Sequence, residues 1–155
     1  MRDIITYPDS RLLQVSREID IIDDSVRDIA GELVSWMGTR GAPGISAPQI
    51  GELIRMICVL YGAEIIVIVN PVIVKHSEQI MKSEEACMSV ADGKMVFLVE
   101  RWKQVVVSGK DLYGKNIQIK SRDLCSRALQ HEIDHLDGRL VINGKLIGEI
   151  KDNLS

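Results

Sequence analysis

The spacing of apolar residues near the start of the chain predicts a helix from about Ser25 to Gly38. Apolar positions recur every three to four residues, as one buried helical face requires. These positions are Val26, Ile29, Ala30, Leu33, Val34 and Met37. Asp24 or Ser25 can cap the start of this helix, and Gly38 and Gly41 lie where it would end. We therefore expect one face of this helix to pack on the core.

The middle of the chain has a different pattern, of short β-branched runs that Gly, Asn or Asp bound in several places. Such runs are typical of β-strands. The predicted strands are Ile54–Leu60, Ile65–Val69, Pro71–Lys75, Met95–Val99, Val105–Ser108 and Ile117–Ile119. A hairpin turn is predicted over Asp111–Asn116, directly before the last of them.

A second helix is predicted from about Arg122 to Asp137, with Gly138 just past its end. Ser121, Arg122 or Asp123 would begin it. Its apolar residues are Leu124, Ala128, Leu129 and Leu136. They indicate a helix that belongs to the core.

One more strand is predicted at Arg139–Ile142, followed by a turn at Asn143-Gly144. The order of elements is then helix, several strands, helix and strand. This order favours an α+β fold in which antiparallel sheets pack around the second helix. The length fits a single domain over residues 1–155.

The composition narrows the class of protein. Hydrophobic residues make up 46% and charged residues 26%, which argues against disorder. The net charge of −3 gives no reason to expect a nucleic-acid or anionic-lipid partner. No apolar run reaches the length of a membrane span, and the charged N-terminus lacks the apolar segment of a secretory signal. We therefore expect a cytoplasmic protein.

The three cysteines fall in different settings. An odd number without a secretory signal argues against a disulfide framework. Cys58 and Cys125 lie in apolar patterns and are predicted to be small core residues. Cys87 lies in the polar segment 84–89 between strands, where its thiolate could be presented to a ligand.

The second helix carries the motif His-Glu-x-x-His at residues 131–135. His131 and His135 are four residues apart, so both rings leave the same helical face and can hold one divalent metal. Glu132 can then take a proton from water. A metal lowers the pKa of its water from 15.7 to about 7. The alternative is a chance motif with solvated side chains, which a core helix disfavours because unpaired polar groups are costly there.

A catalytic metal site needs a third protein ligand and one open position. The candidates are the three cysteines, His76 and the carboxylates. Cys87 is the best of them on chemistry. Cys125 lies six residues before His131, on a different face of the helix. The residues alone leave open that Cys87 is only a small buried side chain.

At these residues the chain resembles the peptide deformylase family. Three segments carry the resemblance in the family's order. Residues 44–51 are similar to its glycine-alanine-proline-glutamine loop, and residues 85–89 to its Glu-Gly-Cys-Leu-Ser segment. Residues 130–138 match its helix motif throughout. The similarity extends over essentially the whole chain.

The resemblance implies a metal-dependent hydrolase that removes the formyl group from the N-terminal formylmethionine of nascent chains. It assigns one divalent ion to Cys87, His131 and His135, and proton transfer to Glu132. The family's usual native ion is ferrous iron, Fe(2+), for which zinc, nickel or cobalt can substitute.

The resemblance also implies how the substrate is held. The side chain of Gln49 and the backbone N–H of Met88 would stabilise the oxygen of the tetrahedral intermediate, a role typically worth about 10²–10³ in rate. A turn residue that bonds its own loop is the alternative for Gln49. Further substrate contacts are expected from Pro43, Gly44, Ile45 and Arg127.

The chain departs from the family's pattern around the first two segments. In an ungapped alignment Ala42 stands at the first glycine, Pro43 follows it, and Ser46 replaces an alanine. Ala86 replaces the glycine before Cys87. A two-residue deletion is the other alignment. These changes leave the metal ligands and Glu132 intact and bear on substrate fit.

The chain ends 20 residues after His135. We therefore expect it to lack the long C-terminal helix by which many bacterial members dock on the ribosome, although the ribosome remains a candidate partner. Three other functions compete with deformylation: hydrolysis of a different formamide or amide, a weakly active relative that binds N-terminal peptides, and a zinc endopeptidase. The last is disfavoured because no ligand pattern follows His135.

Overall fold

Eight strands form two antiparallel sheets in the computed structural model, which describes residues 1–149 and only the backbone of 146 and 147. The larger sheet has the order β1-β2-β3-β6-β7, and the smaller has the order β4-β5-β8. The strands are β1 (Gly44–Ser46), β2 (Met56–Tyr61), β3 (Glu64–His76), β4 (Ile80–Glu85), β5 (Met95–Trp102), β6 (Gln104–Lys110), β7 (Asn116–Arg122) and β8 (Lys145–Glu149).

The first helix, α1, runs over Asp24–Arg40, two residues beyond the predicted Gly38. Its cap is Asp23 rather than Asp24 or Ser25, because the Asp23 carboxylate accepts the Val26 N–H. Gly41 ends the helix in the left-handed conformation that glycine adopts without steric cost. The apolar face of α1 packs in a core cluster with β1 and β2.

The second helix, α2 (Asp123–Leu136), contacts strands of both sheets, as the prediction of a central helix requires. Its residues Ala128, Leu129, Ile133 and Leu136 pack in a core cluster with β2, β3 and β6. Leu124 was expected on the same face, but it lies in the first turn and is 69% exposed. The α+β architecture predicted from the order of elements is confirmed.

Several strand predictions need correction. The runs Ile65–Val69 and Pro71–Lys75 belong to one strand, β3, which a bulge near Asn70 bends without interrupting. Asn70 has a φ of 51°, and its side chain bonds both backbone groups of Ile19. Strands β1 and β4 were missed, since one is three residues long and the other is largely polar.

The strand predicted at Arg139–Ile142 is wrong. Residues Val141–Asn143 form a 3-10 helix, and the strand that follows is β8. Leu140 and Val141 are apolar because they pack in the core cluster that contains Cys87, and not because they alternate along a strand. Residues 150–155 of the predicted domain lie outside the described residues.

The cysteine predictions are partly correct. Cys58 is buried on β2, whereas Cys125 is only partly buried on α2. Among the described helices, neither α1 nor α2 is long and apolar enough to cross a membrane.

Candidate active site

Three residues predicted as metal ligands meet at one point. The sulfur of Cys87 and the ring nitrogens of His131 and His135 all lie within 4.8 Å of one another. The histidines come from α2, and Cys87 comes from the loop after β4. The Sγ–Nε2 distance between Cys87 and His135 is 3.3 Å. One soft thiolate and two imidazoles are a donor set that suits zinc or iron, so these residues fit a metal.

The ring of His131 is fixed by a carboxylate that the sequence reasoning did not single out. Nδ1 of His131 lies 2.8 Å from Oε1 of Glu85. Its Nε2 is therefore left to face the sulfur of Cys87 and the ring of His135, and we call these three residues the ligand cluster. Arg101 donates to both oxygens of Glu85, at 3.0 and 2.8 Å. Burial would raise the pKa of Glu85, but its bonds with His131 and Arg101 lower it to about 2. A charged, buried carboxylate therefore orients the first histidine.

His131 and His135 have opposite electrostatic surroundings. Burial acts to lower the pKa of His131, yet hydrogen bonds with Cys87 and Glu85 raise it to about 10. Burial, helped by the charge of His131, holds the pKa of His135 well below its usual value. The surroundings therefore favour the protonated ring at His131 and the neutral ring at His135.

Glu132 lies buried between α2 and β1. It is 4% exposed, and burial raises its pKa to about 7. Its Oε2 has no hydrogen-bond partner among the described residues. A buried carboxylate with one oxygen left unbonded is costly in a structural role and is suited to proton transfer near neutral pH.

Gly44 leaves the space that Glu132 occupies. A Cβ at Gly44 would lie 2.8 Å from both Cγ and Oε1 of Glu132. We expect Gly44→Ala to displace this carboxylate and to lower kcat by about 10–10²-fold, because small misplacements of catalytic groups are expensive. Metal content and kcat should be measured together. A variant with the parent's kcat would show that Glu132 tolerates the methyl group, whereas lost metal would indicate wider damage.

Gln49 bonds its own loop, which was the alternative considered for it. Its Oε1 accepts hydrogen bonds from the N–H and hydroxyl of Ser46, at 3.0 and 3.1 Å, within its own loop. These bonds fix the amide so that Nε2 points to the ligand cluster, 3.6 Å from the sulfur of Cys87. Nε2 also donates to the hydroxyl of Ser89 at 3.3 Å. The loop bonds therefore present an N–H donor to the site.

The cleft beside these groups contains most of the predicted substrate contacts. It is lined by Ala42, Pro43, Gly44, Gln49, Glu84, Glu85, Ala86, Cys87, Met88, Arg127, Ala128, His131 and Glu132. Ile45 is the exception, since the whole residue is buried in the core and its backbone lies in the pair with β2. For the Met88 N–H, the described part of the chain provides no hydrogen-bond acceptor.

Comparison with known proteins gives a consistent result. Residues 1–146 match the family described as polypeptide deformylase. The peptide deformylase of Thermodesulfovibrio yellowstonii is 36% identical over 91% of this chain and 87% of its own.

Solved structures agree with this match. A peptide deformylase from Legionella pneumophila has a TM-score of 0.87 and 33% identity, over 93% of this chain and 85% of that one. The Met-Ala-Ser-bound class I type b peptide deformylase from Acinetobacter baumannii has a TM-score of 0.85 and 25% identity, over 93% and 98%. This chain belongs to the peptide deformylase family, the metal-dependent hydrolases that remove the formyl group from the N-terminal methionine of nascent peptides.

Proposed function

We propose that this chain deformylates N-formylmethionyl peptides with Cys87, His131 and His135 as the ligands of one divalent metal. The observation that carries this assignment is the convergence of the three ligand atoms within 4.8 Å at the wall of the cleft. Cys58 lies outside that cluster, and burial raises the pKa of its thiol, so it is a poor competitor for the ion. When bound, the metal supplies an acidified water and polarises the formyl carbonyl.

Glu132 moves the proton in this proposal. Its carboxylate takes a proton from the attacking water and gives one to the amine of methionine as the C–N bond of the formamide breaks. A pKa raised to about 7 by burial suits both transfers, because neither protonation state is strongly favoured at neutral pH.

Gln49 and Met88 stabilise the negative charge that develops on the formyl oxygen. The Gln49 amide cannot turn freely, because Ser46 holds its oxygen from two sides. The Met88 N–H follows Cys87 directly and lines the same cleft. Donors that are fixed in advance stabilise the transition state without reorganisation, and each is worth about 10²–10³ in rate.

The peptide adds to the free edge of β1. This strand is the first of the larger sheet, and within residues 1–149 it pairs with β2 on one side only. The backbone of Gly44 faces away from β2, so an extended peptide can bond it in the manner of an added strand. Arg127, at the opposite wall, has its guanidinium 3.5 Å from the Glu84 carbonyl and lies within reach of a peptide in the cleft.

The direct test is a deformylation assay with protein purified without oxygen and loaded with Fe²⁺, Ni²⁺ or Zn²⁺. We expect release of formate from formyl-Met-Ala-Ser but no reaction with Met-Ala-Ser, and little with simple formamides. Equal turnover of simple formamides would support the alternative hydrolase. No turnover with any metal would support a peptide-binding relative. The comparisons give no support to either alternative.

Iron is the native metal in this proposal, the protein acts in the cytoplasm, and its substrates are presented at the ribosome. The donor set admits zinc as well, so availability in the cell decides the ion. Metal analysis of protein purified without oxygen tests whether iron is the native ion. Sedimentation with ribosomes tests whether the protein associates with them.

Pro43 should not weaken peptide binding through its missing donor. Its carbonyl accepts the Leu60 N–H at 2.9 Å, so the backbone of residue 43 faces β2 and not the free edge of β1. In an antiparallel pair the N–H and C=O of one residue face the same neighbouring strand, so an N–H on residue 43 would not be offered to an added strand. We expect Pro43→Ile to leave KM within about twofold of the parent, less than the usual worth of a hydrogen bond, with kcat unchanged. A KM lowered several-fold would show that the peptide does bond residue 43.

A further inference from the structure

We infer that Arg55 is a positioning residue for the metal site, because its guanidinium holds the end of α2 and so sets the direction of the His135 ring. This inference rests on the proposed role of His135 as a metal ligand. Arg55 lies just before β2 and is largely buried, with 17% of its side chain exposed.

The two histidines differ in how their rings are held. The ring of His131 is tied through Nδ1 to Glu85 at 2.8 Å. The Nδ1 of His135 is buried and has no hydrogen-bond partner anywhere in residues 1–149. Metal ligands usually depend on such a partner for their orientation. Besides the 3.3 Å contact of its Nε2 with the Cys87 sulfur, the His135 ring is directed by its packing and by the helix backbone that carries it.

That backbone is docked directly after His135. The carbonyl of Leu136 accepts hydrogen bonds from the Ser16 N–H at 2.8 Å and from Nη1 of Arg55 at 3.0 Å. Nη2 of Arg55 pairs with the carboxylate of Asp137 at 2.9 Å. A cation is favourable at the C-terminus of a helix, where unpaired carbonyls accumulate. Arg55 thus fastens the residue next to the ligand.

Gly138 shows how close this docking is. It has a φ of 72°, and a Cβ there would lie 2.6 Å from the carbonyl oxygen of Leu13. The chain after α2 therefore passes against the segment that also carries Ser16. This contact leaves the helix end little freedom to shift while the Arg55 bonds are intact.

Arg55 is a more selective probe than Arg101. Arg101 contacts Glu85 and also pairs with Asp134, so its loss would disturb the surroundings of both histidines. Arg55 contacts α2 only beyond His135. Its removal should act on one ligand and leave the other in place.

The experiment compares the full-length parent with Arg55→Met, Arg55→Lys and Asp137→Asn. The dissociation constant for Zn²⁺ is measured by chelator competition. Long-range ¹H–¹⁵N spectra of the imidazoles report each histidine in the zinc-loaded protein. We expect Arg55→Met to raise the dissociation constant by about tenfold, as removal of an orienting group usually does. The nitrogen signals of His135 should shift or broaden while those of His131 stay.

Two variants complete the test. Asp137→Asn keeps the bond from Arg55 to the Leu136 carbonyl and should change the dissociation constant by less than about twofold, because a partly exposed ion pair contributes little. Arg55→Lys retains one donor and should lie between the parent and Arg55→Met. If Arg55→Met does not fold, the zinc dissociation constant of Arg55→Lys tests the positioning role instead.

The outcomes separate this inference from the proposed function. Parental zinc affinity in the Arg55 variants, even with lowered thermal stability, would overturn the positioning role and leave Arg55 purely structural. Equal change in both histidines would overturn it as well. If the parent itself bound no zinc through these histidines, the proposed ligand set would fail instead.

Discussion

Glu132→Gln is expected to keep its metal and to lose about 10²–10⁴ in kcat, the usual worth of general acid–base catalysis. Glutamine matches glutamate in size and can still hydrogen-bond water, but it cannot take a proton. Glu132 is buried beside the ligand cluster, so no bulk base can replace it easily. Turnover of formyl-Met-Ala-Ser and metal content are the two measurements.

The control for this prediction is Glu84→Gln. Glu84 also lines the cleft, but its side chain is exposed and it precedes the buried Glu85. The same loss of charge there should leave kcat nearly unchanged. A Glu132→Gln variant within a few-fold of the parent would remove Glu132 from the mechanism. A variant without metal would leave its base role to be tested by a smaller substitution.

The sequence best predicts those residues of the site that lie close together along the chain. His131 and His135 are four residues apart, and helical geometry alone brings their rings to one face. The residues alone favour Cys87 only on its chemistry, because its approach to the histidines depends on how the β4–β5 hairpin packs against α2. No spacing rule connects residues 87 and 131.

The sequence gives little sign of the side chains that orient the histidines, because these contacts also join residues far apart along the chain. Glu85 and Arg101 lie on paired strands and bond through their side chains, and Glu85 reaches His131 on a helix 46 residues away. The signal for Glu85 was its place two residues before Cys87. Gly44 gave no signal beyond its motif, since its role appears only in the distance to Glu132. Such contacts depend on how elements pack.

The fold shows a similar limit. The hydrophobic pattern predicts the α+β order correctly. It predicts a strand at Arg139–Ile142 wrongly, because a buried loop and a buried strand have the same run of apolar residues. Strand β4 was missed because a pair with β5 can form from polar residues when only alternate side chains are buried. In β4 these buried residues are Ser83 and Glu85.

Cys87→Ala is expected to abolish tight metal binding, with the dissociation constant raised more than about 10²-fold, beyond what loss of an orienting group costs. A metal that binds only the folded state stabilises it, by about 2.7 kcal/mol at 100 times the dissociation constant. The parent should therefore show a rise in Tm with Ni²⁺ or Zn²⁺ that Cys87→Ala lacks. Cys87→Ala should also lose deformylation, because it no longer holds the metal.

The matched control is Cys125→Ala. Cys125 lies on the same helix as the two histidines, but it is outside the cluster, and burial raises the pKa of its thiol. Cys125→Ala should lower the Tm slightly in both the metal-free and the metal-loaded protein, and it should keep the metal-dependent rise in Tm. If Cys87→Ala kept that rise too, the third ligand would be another group. Because Cys87 is 4% exposed with its sulfur 3.3 Å from a histidine nitrogen, removal of that sulfur should leave only two ligands for the ion.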